Sequence, residues 1–368
     1  MMYIHQHKNW PDFTWNATHL ALLLGEVHLK QGRLLGYMEQ LGFNLQNEAL
    51  LQTLTQDVIK SSEIEGEHLD AEQVRSSIAR RLGMDVGGLV PSGRNVDGIV
   101  EMMLDATQNF EHEINAGRLF AWHASLFPTG RSGMTKIVVG RWRNNEKNDP
   151  MQVVSGAMGK EKVHYQAPDS DLLENEMIRF LDWFNNETNL DPLIKAAIAH
   201  LWLVTIHPFD DGNGRISRAI ADMQLSRADK TKRRFYSMSG QIRLERNTYY
   251  EILEKTQSGN TEITSWLEWF LSCLGRAMDA TDSVLESVKL KAKILGGAKS
   301  ETLNERQKKM LSRLADGFEG KLNTSKWAKI AKCSQDTAAR DIQDLVNKGV
   351  LLKDSAGGRS TNYLINTN

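Results

Sequence analysis

The sequence predicts a mainly α protein, and three observations carry that expectation. Apolar residues recur at helical spacing through most of the 368 residues, strand-like texture is confined to residues 135–168 and the last stretch of the chain, and Gly- or Pro-rich connections punctuate it. Trp10, Phe13 and Trp15 near the start read as core aromatics, and Leu20, Leu23, Leu24, Val27 and Leu34 then mark a first helix. A second, over 47–64, lines up Leu50, Leu51, Leu54, Val58 and Ile59 and runs straight into SSEIEGEHLD. GMDVGGLVPSGRN, residues 83–95, is a connection, after which helices resume over 99–110 and 119–127. Between 135 and 168 the pieces KIVVGRWR, MQVVSG and KVHYQAP are short and β-like, so a small hairpin is expected. AAIAHLWLVTI, residues 196–206, is an apolar helix ending at His207, and another helix follows over 216–225. Residues 246–275 hold Tyr249, Tyr250 and the amphipathic ITSWLEWFLSCLG, and 279–300 reads as a long polar helix or linker.

Length and composition allow two or three domains with sizeable cores: 40% of residues are hydrophobic and 25% charged, as in ordinary globular protein. A net charge of −1 gives no global attraction to nucleic acid or anionic membrane. With only Cys273 and Cys333, a disulfide framework and a cysteine-based zinc site are excluded, and a reducing compartment is expected. The opening MMYIHQHKNW lacks the charged and apolar segments of a secretion signal, and no apolar run approaches membrane-spanning length. The expectation is a cytoplasmic protein with no membrane partner.

Chemistry concentrates in HPFDDGNGRISR, residues 207–218. Gly212 and Gly214 free the backbone to turn N–H groups toward an anion, and the helix that follows would aim its N-terminus at the same anion. Arg215 and Arg218, three apart, project from its first turn on one side. Asp211 offers the hard carboxylate oxygen that Mg²⁺ prefers, and His207 is the nearby group suited to taking a proton from a hydroxyl near neutral pH.

The order of these residues resembles the Fic family signature, His-Pro-Phe-x-(Asp or Glu)-Gly-Asn-Gly-Arg-x-x-Arg, and matches it at every specified position. The resemblance covers roughly residues 45–275. It implies a Mg²⁺-dependent transfer of AMP from ATP, as substrate, to a Tyr, Ser or Thr hydroxyl of a protein. His207 would be the base and Asp211 the Mg²⁺ ligand, while Asn213 and the amides of Gly212 and Gly214 hold α-phosphate oxygens. Arg215 would grip the phosphate chain and Arg218 the terminal phosphate. Phe209 is a packing anchor, and Tyr249 would line the adenine pocket. The fragments Val153, Val154, Ser155 and Val163, His164, Tyr165 sit where Fic proteins place their flap, a hairpin that binds the target by adding it as a strand. Ser61 to Gly66, SSEIEG, matches the family's inhibitory motif: Ser61 and Glu65 share a helical face, Gly66 lets the helix end, and Glu65 would form a bidentate pair with Arg218.

The C-terminal unit reads helix, helix, helix, wing, and resembles a winged helix-turn-helix. Met310, Leu311 and Leu314 face inward from the first helix, Thr324 caps the second and Ser334 the third, whose apolar face is Ala338, Ile342, Leu345 and Val346 and whose stop is Gly349. Two β-like pieces then flank a Gly-Gly turn. Residues 301–368 hold 12 basic and 8 acidic residues, a charge of +4. DNA contact, through Arg340 and Arg359 among others, stands there against a protein-interaction or homodimerisation role.

The domain plan is therefore an N-terminal helical region over 1–95 with the inhibitory segment 61–66, a Fic core over 96–275, a linker helix over 276–300 and the winged-helix unit over 301–368. Self-modification is one expected outcome of such a site. The rival functions are removal of AMP or transfer of another nucleotide at the same site, and a DNA-binding regulator that senses nucleotide through its Fic domain.

Overall fold

The computed structural model describes residues 2–84, 88–146, 149–156, 160, 162–295, 302–315, 320–354 and 361–366. Helices dominate, and the described strands form three separate antiparallel two-stranded hairpins. In chain order the elements are α1 (Ala17–Glu39), α2 (Phe43–Ile64), α3 (Ala71–Arg81), α4 (Arg94–Gln108), α5 (Ala116–Leu126), β1 (Arg131–Ser132), β2 (Thr135–Lys136), β3 (Gln152–Ser155), β4 (Lys162–Gln166), α6 (Leu173–Asn186), α7 (Pro192–Ile206), α8 (Asn213–Asp229), α9 (Met238–Leu244), α10 (Arg246–Gln257), α11 (Thr264–Asp279), α12 (Thr281–Leu295), α13 (Glu305–Ala315), α14 (Thr324–Ala331), α15 (Gln335–Asn347), β5 (Leu351–Lys353) and β6 (Tyr363–Ile365). They group into two compact units: Met1–Gln40, Leu50–Gly83 and Val90–Asp279 in one, and Leu41–Ala49, Met84–Leu89 and Ala280–Asn368 in the other.

The first unit is built around the antiparallel pair α7 and α8, which pack along each other. Asp191 caps α7 by accepting the Leu193 N–H at 2.9 Å, with Pro192 in the first turn. Every residue of α7 from Leu193 to Ile206 is buried, so its sequence is apolar all round rather than on one stripe. The early aromatics close one side of this core: Trp10 and Phe13 meet the α7 residue Trp202 edge-on at 6.1 and 5.8 Å.

Helix α2 docks on the same core with Leu50, Leu51, Leu54 and Val58 buried and Ile59 only half-buried. Its polar anchor is Asp57, which accepts from the Ser237 hydroxyl at 2.6 Å and the Ser239 N–H at 3.1 Å and lies 3.9 Å from the buried Arg234. Asp57→Ala is expected to cost about 3 kcal/mol, because it strands buried donors and part of a buried ion pair. An unchanged urea midpoint for this unit would show the anchor to be dispensable.

One expected strand is absent. KIVVGRWR, residues 136–143, contributes only its first residue, Lys136, to β2, because its later backbone N–H groups bind elsewhere: Val138 donates to Asp210, Gly140 to His123 and Arg143 to the Pro208 carbonyl. The stretch expected as a linker helix is divided, with α11 running to Asp279 and α12 beginning at Thr281; residues 296–300 lie outside the described residues.

In the second unit α13, α14 and α15 precede the hairpin β5–β6 and enclose a core around Trp327, Met310, Ile342 and Leu345. Ser334 caps α15, but α14 is capped by Asn323, whose Oδ1 accepts from Lys326 at 2.8 Å, and not by Thr324. The Gly-Gly turn and Arg359 lie outside the described residues.

Candidate active site

Residues 207–212 join α7 to α8 and are held from all sides. His207 ends α7 in the left-handed region (φ 52°), with its N–H on the Leu203 carbonyl at 3.0 Å. Phe209 is fully buried, stacked on His123 at 4.3 Å and flanked by Trp142 at 5.2 Å. Asn213 staples the loop to itself: its Oδ1 accepts from the Phe209 N–H at 3.0 Å and its Nδ2 donates to the Phe209 carbonyl at 2.7 Å. That side chain is therefore committed to the loop rather than turned toward a ligand. Gly212 takes φ 81°, and a Cβ there would meet the Phe127 ring at 2.9 Å, so only glycine fits the entry to α8. No side chain caps that helix, which leaves its N-terminal backbone donors facing the loop.

His207 is poised as a neutral base. Its Nδ1 lies 3.2 Å from the Val204 carbonyl, which can only accept, so Nδ1 carries the proton and Nε2 keeps its lone pair. Burial pushes the imidazole down from its ordinary 6.5 to about 4, against the Val204 hydrogen bond, which favours the charged form; nearby Arg143 adds to the depression. Arg143 also holds this end of α7 from behind, donating to the carbonyls of His207 at 2.7 Å and Pro168 at 2.6 Å, a cation where the helix C-terminus is negative.

The two acids of the loop have different surroundings. Asp210 is spent on the Val138 N–H at 2.8 Å. Asp211 accepts from the Ser132 hydroxyl and the Gly212 N–H, and its backbone carbonyl lies 3.2 Å from His123 Nε2. Because Gly140 N–H donates to His123 Nδ1, the proton of that neutral ring sits on Nε2, and burial pushes its pKa down to about 4. Among the described residues no group of three or more His, Cys, Asp or Glu could hold a metal ion. A single carboxylate with a hydroxyl beside it instead suits a cation carried mainly by phosphate oxygens and water, as Mg²⁺ is.

Both arginines are buried, and both meet carboxylates from the end of α2. Arg218 donates through Nε to the Ser61 hydroxyl at 3.0 Å and through Nη2 to the Ser61 carbonyl at 2.9 Å and Glu65 Oε1 at 2.8 Å. The contact with Glu65 thus uses one oxygen, not the expected two, since Ser61 takes the rest of that edge of the guanidinium. Arg215 donates to Glu67 Oε2 at 2.8 Å and lies over the Phe127 ring at 5.1 Å. α2 ends in a Schellman motif around Gly66 (φ 84°): Glu67 N–H bonds to Ser62 O at 3.0 Å and Gly66 N–H to Glu63 O at 3.1 Å. The carbonyl of Ile64 is gripped by Arg246 Nε at 2.8 Å and the Tyr250 hydroxyl at 3.3 Å.

Tyr249 does not line an open pocket. Only 1% exposed, it places its hydroxyl 3.0 Å from His200 Nε2 and packs inward beside Tyr250, Trp269 and Arg218.

The hairpin β3–β4 pairs Val153 with Tyr165 and Val154 with Val163, with a bulge at Val153/Val154. Val154 and Val163 are exposed, at 48% and 41%, whereas Tyr165 is buried with its hydroxyl on the Thr205 carbonyl at 2.7 Å. Ser155 meets His164 Nε2 at 2.6 Å, and His164 Nδ1 meets Glu254 at 2.6 Å, tying the hairpin to α10. Sequence reading missed Glu67, His123, Ser132, Arg143 and Glu254. Only Glu67 had a local signal, being an acid just past the helix-ending glycine.

Two family models match, a domain of unknown function (DUF4172) over residues 3–84 and the Fic/DOC family over 113–225. A protein adenylyltransferase Fic from Drosophila willistoni is 28% identical over 228 residues, 61% of this chain and 41% of the relative. One from Culex quinquefasciatus is 28% identical over 261 residues, 67% of this chain and 46% of the relative. The chain thus spans under half the length of these curated relatives. Among solved structures, a Fic family protein from Desulfovibrio desulfuricans G20 aligns over 95% of this chain and 96% of its own with a TM-score of 0.54 at 22% identity. A Fic domain containing signaling protein from Bacteroides thetaiotaomicron aligns over 72% and 97% with a TM-score of 0.52 at 18% identity. These likenesses establish the fold of the core. Among the described residues no helix is long and apolar enough to cross a membrane.

Proposed function

We propose that this Fic-domain chain, related at low identity to known Fic adenylyltransferases, transfers AMP from ATP to a Tyr, Ser or Thr hydroxyl of a protein and restrains itself through Glu65. The observation that carries the reading is a neutral, half-buried His207 with its Nε2 lone pair free, set ahead of an uncapped helix N-terminus that bears two buried arginines. The loop amides and the α8 N-terminus receive the phosphates, Arg215 and Arg218 hold the chain, and Nε2 of His207 takes the proton of the attacking hydroxyl. Asp211, with Ser132 beside it, would hold Mg²⁺, which supplies charge neutralisation for the phosphates. The open pair Val154 and Val163 offers the target backbone and side chains a docking strip. Incubation with ATP labelled in its α-phosphate, followed by mass spectrometry of the chain and of added protein, tests the proposal. Label on neither, in a variant freed of Glu65, would sink it.

We further propose that the C-terminal unit is a winged helix that binds DNA. Its third helix carries fewer free acids than the sequence suggests, since Arg306 takes Asp341 at 2.9 Å and Lys348 takes Asp344 at 2.6 Å. Arg340 stays exposed on that helix. The full chain is expected to shift duplex DNA in a gel at low salt, with affinity falling as salt rises and weakened by Arg340→Ala. Failure to shift any duplex at low salt would turn the unit into a protein-interaction module.

A further inference from the structure

We infer that the resting state is held by two carboxylates rather than one, Glu67 keeping Arg215 from the phosphate chain while Glu65 keeps Arg218; the inference rests on the adenylyl-transfer reading above. Arg215 and Arg218 leave α8 three residues apart, on one side of its first two turns. The Schellman turn at Gly66 sets two acids opposite them, one just before the glycine and one just after. Glu67 is no loose neighbour, because its own N–H is bonded to Ser62 and its position follows the helix end.

The pairing is lopsided in a way that suits a removable cover. The Arg215 side chain is 3% exposed and pressed on Phe127, with its Nε lacking a hydrogen-bond partner, whereas the Glu67 side chain is 46% exposed. The guanidinium is fixed and the carboxylate is free to leave into water. A phosphate arriving at Arg215 with Glu67 still in place would set like charges against one another, so the two compete for the same donor. Removal of Glu65 alone therefore leaves the site half covered.

Titration of the full chain with Mg–ATP by calorimetry, in wild type, Glu65→Gly, Glu67→Gln and the double variant, tests this. Glu67→Gln alone should gain about twofold or less, since Glu65 still covers Arg218. In the Glu65→Gly background the same change should tighten ATP by a further roughly three- to fivefold, the upper scale of an ion pair whose carboxylate is half exposed, and Arg215→Ala in that background should abolish the gain. Equal or weaker binding in the double variant than in Glu65→Gly would overturn the second clamp and leave the first standing. No ATP binding by Glu65→Gly would instead overturn the functional reading on which the inference rests.

Discussion

His207→Ala is expected to lower adenylate transfer by roughly 10²- to 10⁴-fold while leaving ATP affinity nearly unchanged, the range for losing a positioned proton acceptor. The backbone of residue 207 is held by Leu203 and Arg143 and not by the imidazole, so the loop should keep its shape. Incorporation at the wild-type rate would remove His207 from the reaction. The same ring sets a pH dependence. Since burial holds its pKa near 4, the base form persists as pH falls through the usual 6.5, and the acid limb of the free protein's activity should appear only near pH 4. Stability moves the other way across that window. The unfolded chain, with an ordinary histidine, binds more protons than the folded one between about pH 6.5 and 4, so acidification there favours unfolding. An activity midpoint near 6.5 would show that His207 is more solvated than its packing allows.

Glu65→Gly should raise self-adenylylation by roughly 10- to 100-fold, on the scale of a lost charged hydrogen bond that competes with substrate. The sign separates the alternatives: an ordinary surface acid would leave the rate unchanged, and a catalytic acid would lower it. Because the benefit passes through Arg218, it should vanish in Glu65→Gly with Arg218→Ala. If the single variant instead slows removal of AMP from a modified protein, Glu65 serves to orient water and the hydrolytic rival gains.

What the sequence disclosed depended on how local the cause was. Most helices were legible because they bury a periodic face or, in α7, a nearly unbroken apolar run, but α3, α6 and α9 were not read; residues 207–218 stood out because the loop's residue types are contiguous. Partners reached across the fold were not. Ser132 lies 79 residues from Asp211, and no spacing rule joins them. The Ile137–Val139 run looked like a strand because β-branched residues fit one, yet its neighbouring N–H groups serve Asp210 and Pro208. Asn213 was assigned to a ligand, when its amide matches the Phe209 peptide at both ends. The bidentate pair expected at Glu65 was cut to one contact by Ser61, whose carbonyl reaches the same nitrogen.

Helix α10 puts Arg246, Tyr250 and Glu254 at intervals of four, on one face. The first two hold the carbonyl that precedes Glu65, and the third holds the hairpin through His164. Eight residues of helix fix about 12 Å between these grips, so the end of α2 that carries Glu65 and the β3–β4 hairpin are measured from a common ruler. A shift of the whole helix carries both together and leaves their spacing intact. Only a bend or break between Arg246 and Glu254 would throw one out of calibration against the other.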